Sequence, residues 1–320
     1  MGARIIAGFL LFSFGLAAQY PSVSSGFDHF YNLEFDAAIS DFGAAAQRNP
    51  TDANVWNHLA QSVLYRAMFR SGALESQLVN ASNPFLRREK VNTTADEDKS
   101  FHDAIGKSLE LSQACLRQNP NDAGALYSQG ISYGLRANYN FSVRKAWLDA
   151  LRDATSAHKA HLRVCRLDPN HFDARLIPGL YDYVTSSLPI GYRIVGFFGG
   201  FRGDRQRGIT TLETVARQGK SNRVDAQVLL AAVYRREHRA QEAIPLLENL
   251  IREYPRSYLL RFEVVQMYKD LNNQSAALEH LERIRELRRT GAKGFADLPL
   301  ERIDLMQGNL PQSNMRQEAN

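Results

Sequence analysis

Residues 231–251 read AAVYRREHRAQEAIPLLENLI, and residues 265–285 read VQMYKDLNNQSAALEHLERIR. Tyr234, Ala243, Leu247 and Leu250 of the first stretch return as Tyr268, Ala277, Leu281 and Ile284 of the second, each 34 positions later. Four independent positions held in one register define an internal repeat, and this period is that of a helix–turn–helix unit. Apolar residues three and four apart make each half of the unit an amphipathic helix. The small residue (Ala243, Ala277) lets the second helix of a pair approach the first closely, and the tyrosine fills the space beside it. The aliphatic residues of the second helix then pack on the next unit. Pro255 ends the second helix and turns the chain into the following pair.

The same frame extends upstream. Ala38, Phe42, Ala45 and Pro50 have the spacing of Ala243, Leu247, Leu250 and Pro255, and Trp56, Leu59 and Ala60 open the next first helix. One inter-repeat turn recurs three times: Asn49-Pro50-Thr51-Asp52-Ala53, Asn119-Pro120-Asn121-Asp122-Ala123, and the segment from Asp168-Pro169 to Asp173-Ala174. Gly130 and Tyr133 follow the second turn, Gly179 follows the third, and Gly208, Leu212 and Val215 supply a further second helix. The pattern predicts about six helix pairs, at 24–50, 53–120, 123–169, 172–220, 224–255 and 258–289, with a short capping helix at 295–308. The fold class is all-α, a right-handed superhelical solenoid.

On these residues the chain from about Ser24 to Arg289 resembles the tetratricopeptide (TPR) repeat proteins. The resemblance implies a concave surface lined by the first helix of each pair, on which an extended peptide or a partner helix lies. Inward-facing positions in this frame are Asn54, Asn57 and Gln61, then Tyr127 and Ile131, then Arg235, Phe262, Gln266 and Lys269. Such a mixed polar and aromatic surface suits a peptide backbone and its side chains, and packing or solubility roles suit the same residues.

Two segments interrupt the frame. Residues 68–98 separate the helices of the second unit, and a loop longer than about 12–15 residues is uncommon unless functional or disordered. Residues 184–204 are apolar, glycine-rich and aromatic, with Phe197, Phe198 and Phe201 as the candidate membrane or ligand contacts. Leu188-Pro189, Gly196-Phe197-Phe198 and Gly203-Asp204-Arg205 within this stretch resemble a segment of the Iml2 family of eukaryotic TPR-like proteins. That resemblance implies a link to inclusion-body clearance and lipid handling.

Residues 1–18 have the three parts of a secretory signal peptide: a basic start, the apolar run Ile5 to Leu16, and small residues at Ala17-Ala18. An uncleaved anchor is the other reading of the same residues. The expected location is the periplasm or the extracellular space, with residues 19–308 as the folded domain and 309–320 as a disordered tail. The two cysteines, Cys115 and Cys165, are either two small buried side chains or a bridge between neighbouring helices. Net charge is +5, and the basic runs at Arg235-Arg236 and Arg283–Arg289 alternate with glutamates. No aromatic–basic stacking pattern accompanies them, so nucleic acid is not an expected partner.

The sequence contains no His-Glu-x-x-His, Cys-x-x-Cys, phosphate-binding glycine loop or Gly-x-Ser-x-Gly elbow. His158 and His161 share a helix face, a third metal ligand would have to come from His171 or a nearby carboxylate, and two ordinary helix histidines are the reading preferred. No cofactor, metal or catalytic residue is expected. The reading is therefore an extracytoplasmic scaffold that binds a peptide or partner subunit. The alternative is a lipid- or membrane-associated solenoid that uses residues 188–201.

Overall fold

All six predicted pairs form. The computed structural model describes residues 21–74, 90–187 and 203–308, and among them the chain comprises thirteen α-helices and no strand. The pairs are α1 (Pro21–Tyr31) with α2 (Phe35–Arg48), α3 (Ala53–Arg70) with α4 (Ala95–Gln118), and α5 (Ala123–Tyr139) with α6 (Trp147–Leu167). They continue as α7 (Leu176–Ser186) with α8 (Arg205–Gln218), α9 (Arg223–Arg236) with α10 (Ala240–Glu253), and α11 (Tyr258–Asp270) with α12 (Gln274–Arg289). The cap is α13 (Leu300–Gln307). Each helix packs on the next in sequence, so the architecture is an all-α right-handed solenoid of TPR-like pairs. Residues 1–18, the segment 188–201 and the tail 309–320 lie outside the described residues.

The repeated turn has one geometry. Asp52 N donates to Asn49 O at 3.2 Å, Asp122 N to Asn119 O at 3.0 Å, and His171 N to Asp168 O at 3.1 Å. The residue that ends each turn then caps the next helical segment. Asp52 accepts from Asn54 N at 2.9 Å, Asp122 from Ala125 N at 2.8 Å, and His171 Nδ1 from Ala174 N at 3.3 Å. Each satisfies one of the orphan donors of a helix start. Inside the pairs a second device recurs. Leu33, His238 and Asn272, each five residues before the small alanine of the second helix, adopt left-handed backbone at φ 66°, 57° and 57°.

The repeat positions are core positions. Ala38, Phe42 and Ala45, Ala243, Leu247 and Leu250, and Ala277, Leu281 and Ile284 are all buried. The middle units substitute polar groups in the same frame. In α6 the triplet is Ala157, His161 and Val164, so a fully buried imidazole stands where other units carry Leu or Phe. A Cβ on Gly130 would collide with that ring, which explains the glycine in α5. His161 Nδ1 donates to Ala174 O at 3.0 Å, and burial pulls its pKa down to about 4, so the ring is neutral. In α4 the corresponding residues Ser108 and Ser112 are also buried.

Two boundaries differ from the sequence reading. α3 runs to Arg70 and α4 starts at Ala95, which confines the first interruption to residues 71–94. The reason is a capping box, in which Thr94 accepts from Glu97 N at 3.1 Å and Glu97 accepts from Thr94 N at 2.9 Å. Glu97 also receives Arg66 and Arg70 from α3, at 3.1 Å and 2.5 Å. The second interruption is gripped at its C-terminal edge. A Cβ on Gly208 would lie 2.7 Å from Tyr183 N, so glycine lets α8 abut α7, and Arg207 forks onto Asp182 through two bonds of 2.7 Å. The cysteines are free thiols. Cys115 is exposed in the last turn of α4 rather than buried, and Cys165 is half-buried.

The first pair docks on the fifth and sixth, so the superhelix closes on itself. Arg256, in the turn between α10 and α11, donates to Glu34 at 2.8 Å and Asp28 at 2.6 Å, and its backbone N donates to Asn32 Oδ1 at 2.9 Å. Lys293 Nζ reaches Glu34 at 3.1 Å. Tyr31 packs on Tyr254 and Phe69 on Tyr258, with ring centroids 4.9 Å and 6.1 Å apart. A single apolar cluster accordingly joins Phe30, Phe42, Met68 and Phe101 to Phe262, Leu281 and Phe295.

Candidate functional site

Polar side chains of the first helices α1 and α3 converge on Asp225, in the first turn of α9. Tyr31 Oη donates to Asp225 Oδ1 at 3.1 Å. Gln61 of α3 lies close enough to act on Asp225 and on His58 one turn earlier. Tyr31, His58, Gln61, Tyr65 and Asp225 are all half-buried. They keep accessible surface although they sit between helices.

The electrostatics of this group are unusual for a solenoid face. Burial pushes the Asp225 carboxyl up to about 6, against the opposing hydrogen bond from Tyr31 and the nearby Gln61 amide and with a further push from the Asp173 carboxylate. The groups acting on Asp225 are neutral or acidic. Burial, followed by the Asp225 charge, raises the phenols of Tyr31 and Tyr65 far above their ordinary value. For Tyr127 burial leads, then Asp173, then Asp225. Burial draws His58 down to about 4 against the pull of Asp52. His58 is therefore neutral at physiological pH, and its Nδ1 is buried without a hydrogen-bond partner. Phe27 continues the aromatic wall, with its ring 4.7 Å from His58 and 6.1 Å from Tyr31.

Of the residues singled out in the sequence, Gln61 belongs to this group. Asn54 is half-buried nearby and accepts from Ser128 Oγ at 2.9 Å. Asn57 is fully buried: it donates to Ser128 O at 2.9 Å and accepts from Ser132 at 2.7 Å, and Ser132 in turn pairs with Ser108 at 2.9 Å. Tyr127 is buried with its hydroxyl bonded to Asn222 Nδ2 at 3.0 Å, and Ile131 packs against the Leu126–Val164 cluster. The other four lie away from the group. Arg235 is buried and donates to Asp270 at 2.7 Å, Gln266 shares the same carboxylate at 2.8 Å, and Phe262 is core. Lys269 donates to Met306 O at 2.9 Å and so holds α13. Phe197, Phe198 and Phe201 lie outside the described residues.

Sequence reasoning missed Tyr31, His58, Tyr65 and Asp225. A signal for Asp225 existed. It stands six residues before the small residue of its helix, as Asn54 stands before Ala60 and Asp173 before Gly179. Nothing local marks Tyr31, because its partner lies 194 positions away. Among the described residues no group of three metal-binding side chains occurs, and no helix is long and apolar enough to cross a membrane.

No family model and no curated protein matches the sequence. Among solved structures the chain is similar to TTC0263, a thermophilic TPR protein of Thermus thermophilus, at 15% identity and a TM-score of 0.40, covering 79% of this chain and 99% of that one. Yeast Tom70 is similar at 11% identity and a TM-score of 0.37, covering 92% of this chain and 74% of its own. The human IFIT1 dimer with m7Gppp-AAAA is similar at 15% identity and a TM-score of 0.38, covering 90% and 69%. At these identities the likeness concerns the fold alone.

Proposed function

We propose that the protein is a non-catalytic interaction scaffold, exported from the cytoplasm, that receives a peptide segment of a partner protein on the inner face of its solenoid. The observation that carries this reading is the cluster at Asp225. A chain built only for stability would fill the inside of a closed superhelix with apolar groups, because an incompletely paired buried carboxyl costs free energy. Here polar and aromatic groups with accessible surface meet instead. A protein partner is favoured over nucleic acid because many of the basic side chains are already paired with acids. Arg223 binds Glu253, Arg239 binds Glu242, and Arg285 binds Glu282, each at 2.6 Å. Hydrogen exchange on the chain with and without a captured partner tests the proposal. Protection is expected on α3, α5 and α9, and protection confined to the convex helices would refute it.

A second reading, contact with a lipid surface, is favoured by one patch. At the start of α6, Trp147, Leu148 and Leu151 are 43%, 79% and 47% exposed, beside Arg144 and Lys145. Exposed apolar side chains flanked by basic ones suit an anionic bilayer surface. Flotation with anionic liposomes separates the two readings. Lipid contact requires co-flotation that Leu148→Asp, or Phe197→Asp in the 188–201 segment, abolishes.

A further inference from the structure

Asp225 has an environment that no internal group completes. Its carboxyl takes one hydrogen bond from Tyr31 and faces Gln61, while the nearby charge is a second carboxylate, Asp173, already engaged by the backbone N–H groups of Lys220 and Asn222 at 2.9 Å. Tyr31, Tyr65 and Tyr127 stand within reach of its field, and the aromatic wall passes from Phe27 through Tyr31 to Tyr254. Three other buried acids meet arginine: Glu97 with Arg70, Asp153 with Arg136, Asp182 with Arg207. Asp225 has no such arginine among the described residues, and unlike Glu263, which is buried and unpaired on α11, it keeps accessible surface.

We infer that Asp225 receives the ammonium of a lysine side chain carried by the partner's peptide, which stands where arginine stands at Glu97, Asp153 and Asp182. This deepens the scaffold reading and rests on it. An ammonium brings three donors and no acceptor. The Asp225 carboxylate and the Gln61 carbonyl offer acceptors, and the tyrosine rings offer π faces that attract a cation, the more so when it is desolvated. The same surroundings discriminate against acidic and phosphorylated segments, because Asp173 and Asp225 repel them. Lysine suits the site better than arginine. A guanidinium needs five donors satisfied in a fixed fork, and a point charge on a flexible stem needs only one carboxylate and its neighbours.

The test is calorimetric titration of the full mature chain with three end-blocked hexapeptides of alternating glycine and lysine, glycine and Nε-acetyllysine, or glycine and glutamate. The lysine peptide is expected to bind saturably at one site, at least tenfold more tightly than the acetylated peptide, with no binding of the glutamate peptide. Asp225→Asn should remove that preference, and Gln61→Glu should strengthen lysine binding severalfold. Circular dichroism verifies the fold of both variants, and Gln61→Glu keeps the test decisive if Asp225→Asn fails to fold. Equal binding of the lysine and acetylated peptides, unchanged binding in Asp225→Asn, or no saturable binding at all overturns the inference. The broader scaffold reading survives those results if a captured partner still protects α3, α5 and α9 from exchange.

Discussion

Glu263 on α11 is 1% exposed, and neither of its carboxyl oxygens has a hydrogen-bond partner. Burial raises its pKa well above the ordinary carboxylate value, with Arg235 pulling the other way and Asp270 adding to the rise. The folded state therefore holds a proton that the unfolded chain releases near pH 4.5. Folding is helped by this group below that value, and the advantage is lost as pH rises toward the raised folded value. Glu263→Met, which conserves volume, should stabilise the protein by about 1–4 kcal/mol at pH 8 and by much less at pH 4. Chemical denaturation at the two pH values measures this, and a variant no more stable at pH 8 would contradict it. Glu97 behaves in the opposite sense. Its hydrogen bond from Arg70, outweighing the opposing effect of burial, holds it down to about 2, so its contribution is complete above about pH 4.5 and disappears as pH falls toward 2. Arg70→Met leaves Glu97 with Arg66 and its capping bonds, and should cost roughly 1–3 kcal/mol at pH 7. The difference between variant and parent should shrink at pH 3.

At the scale of the element, strain sits in the loops inside the first, fifth and sixth pairs. His238 is exposed and left-handed, a conformation disfavoured for a residue with a Cβ. Its counterpart 34 positions on, Asn272, is of a type that tolerates this backbone. His238→Gly should therefore stabilise the chain by about 0.5–1 kcal/mol, visible as a rise in Tm, whereas a fall in Tm would show that the imidazole makes a contact worth more than the strain. The helix pairs were legible in the sequence because their causes are local and repeated: an aspartate that caps, a proline that stops, and a small residue every 34 positions. Where the frame carried His161 or Ser112 instead of a large apolar residue, position still reported burial although chemistry did not. The inward faces were less legible. Frame positions alone cannot separate Asn57, spent on Ser128 and Ser132, from Gln61, which keeps accessible surface. That difference depends on how closely α5 packs on α3, which no property of either helix specifies.

For the whole molecule the decisive contacts are the most distant in sequence. Arg256 bonds Asp28 and Glu34, more than 220 positions away, and brings Tyr31 to Tyr254 and Asp225. Neither end of this clasp belongs to the repeat signature, so periodicity predicts an open solenoid where a closed one forms. Burial alone would raise Glu34, yet hydrogen bonds from Arg256, His29 and Lys293 hold it down to about 2. The clasp is thus complete above about pH 4.5 and weakens as pH falls toward 2. Arg256→Ala should open the ring, which small-angle scattering would register as a larger radius of gyration at pH 7. An unchanged radius would show that the apolar contact from Phe69 to Tyr258 is sufficient by itself. Closure also brings Tyr31 from the first pair to Asp225 from the fifth, the group on which the proposed binding rests.

The most direct test of the central claim is affinity capture from an extract of the source cells with the chain and its Gln61→Arg variant, each eluate analysed for protein and for lipid. The variant places a fixed cation against Asp225 and should occupy the inner site without disturbing the repeat frame. The account predicts a stoichiometric protein partner on the parent chain that the variant fails to retain. A partner held equally by both, or lipid recovered without protein, would contradict it.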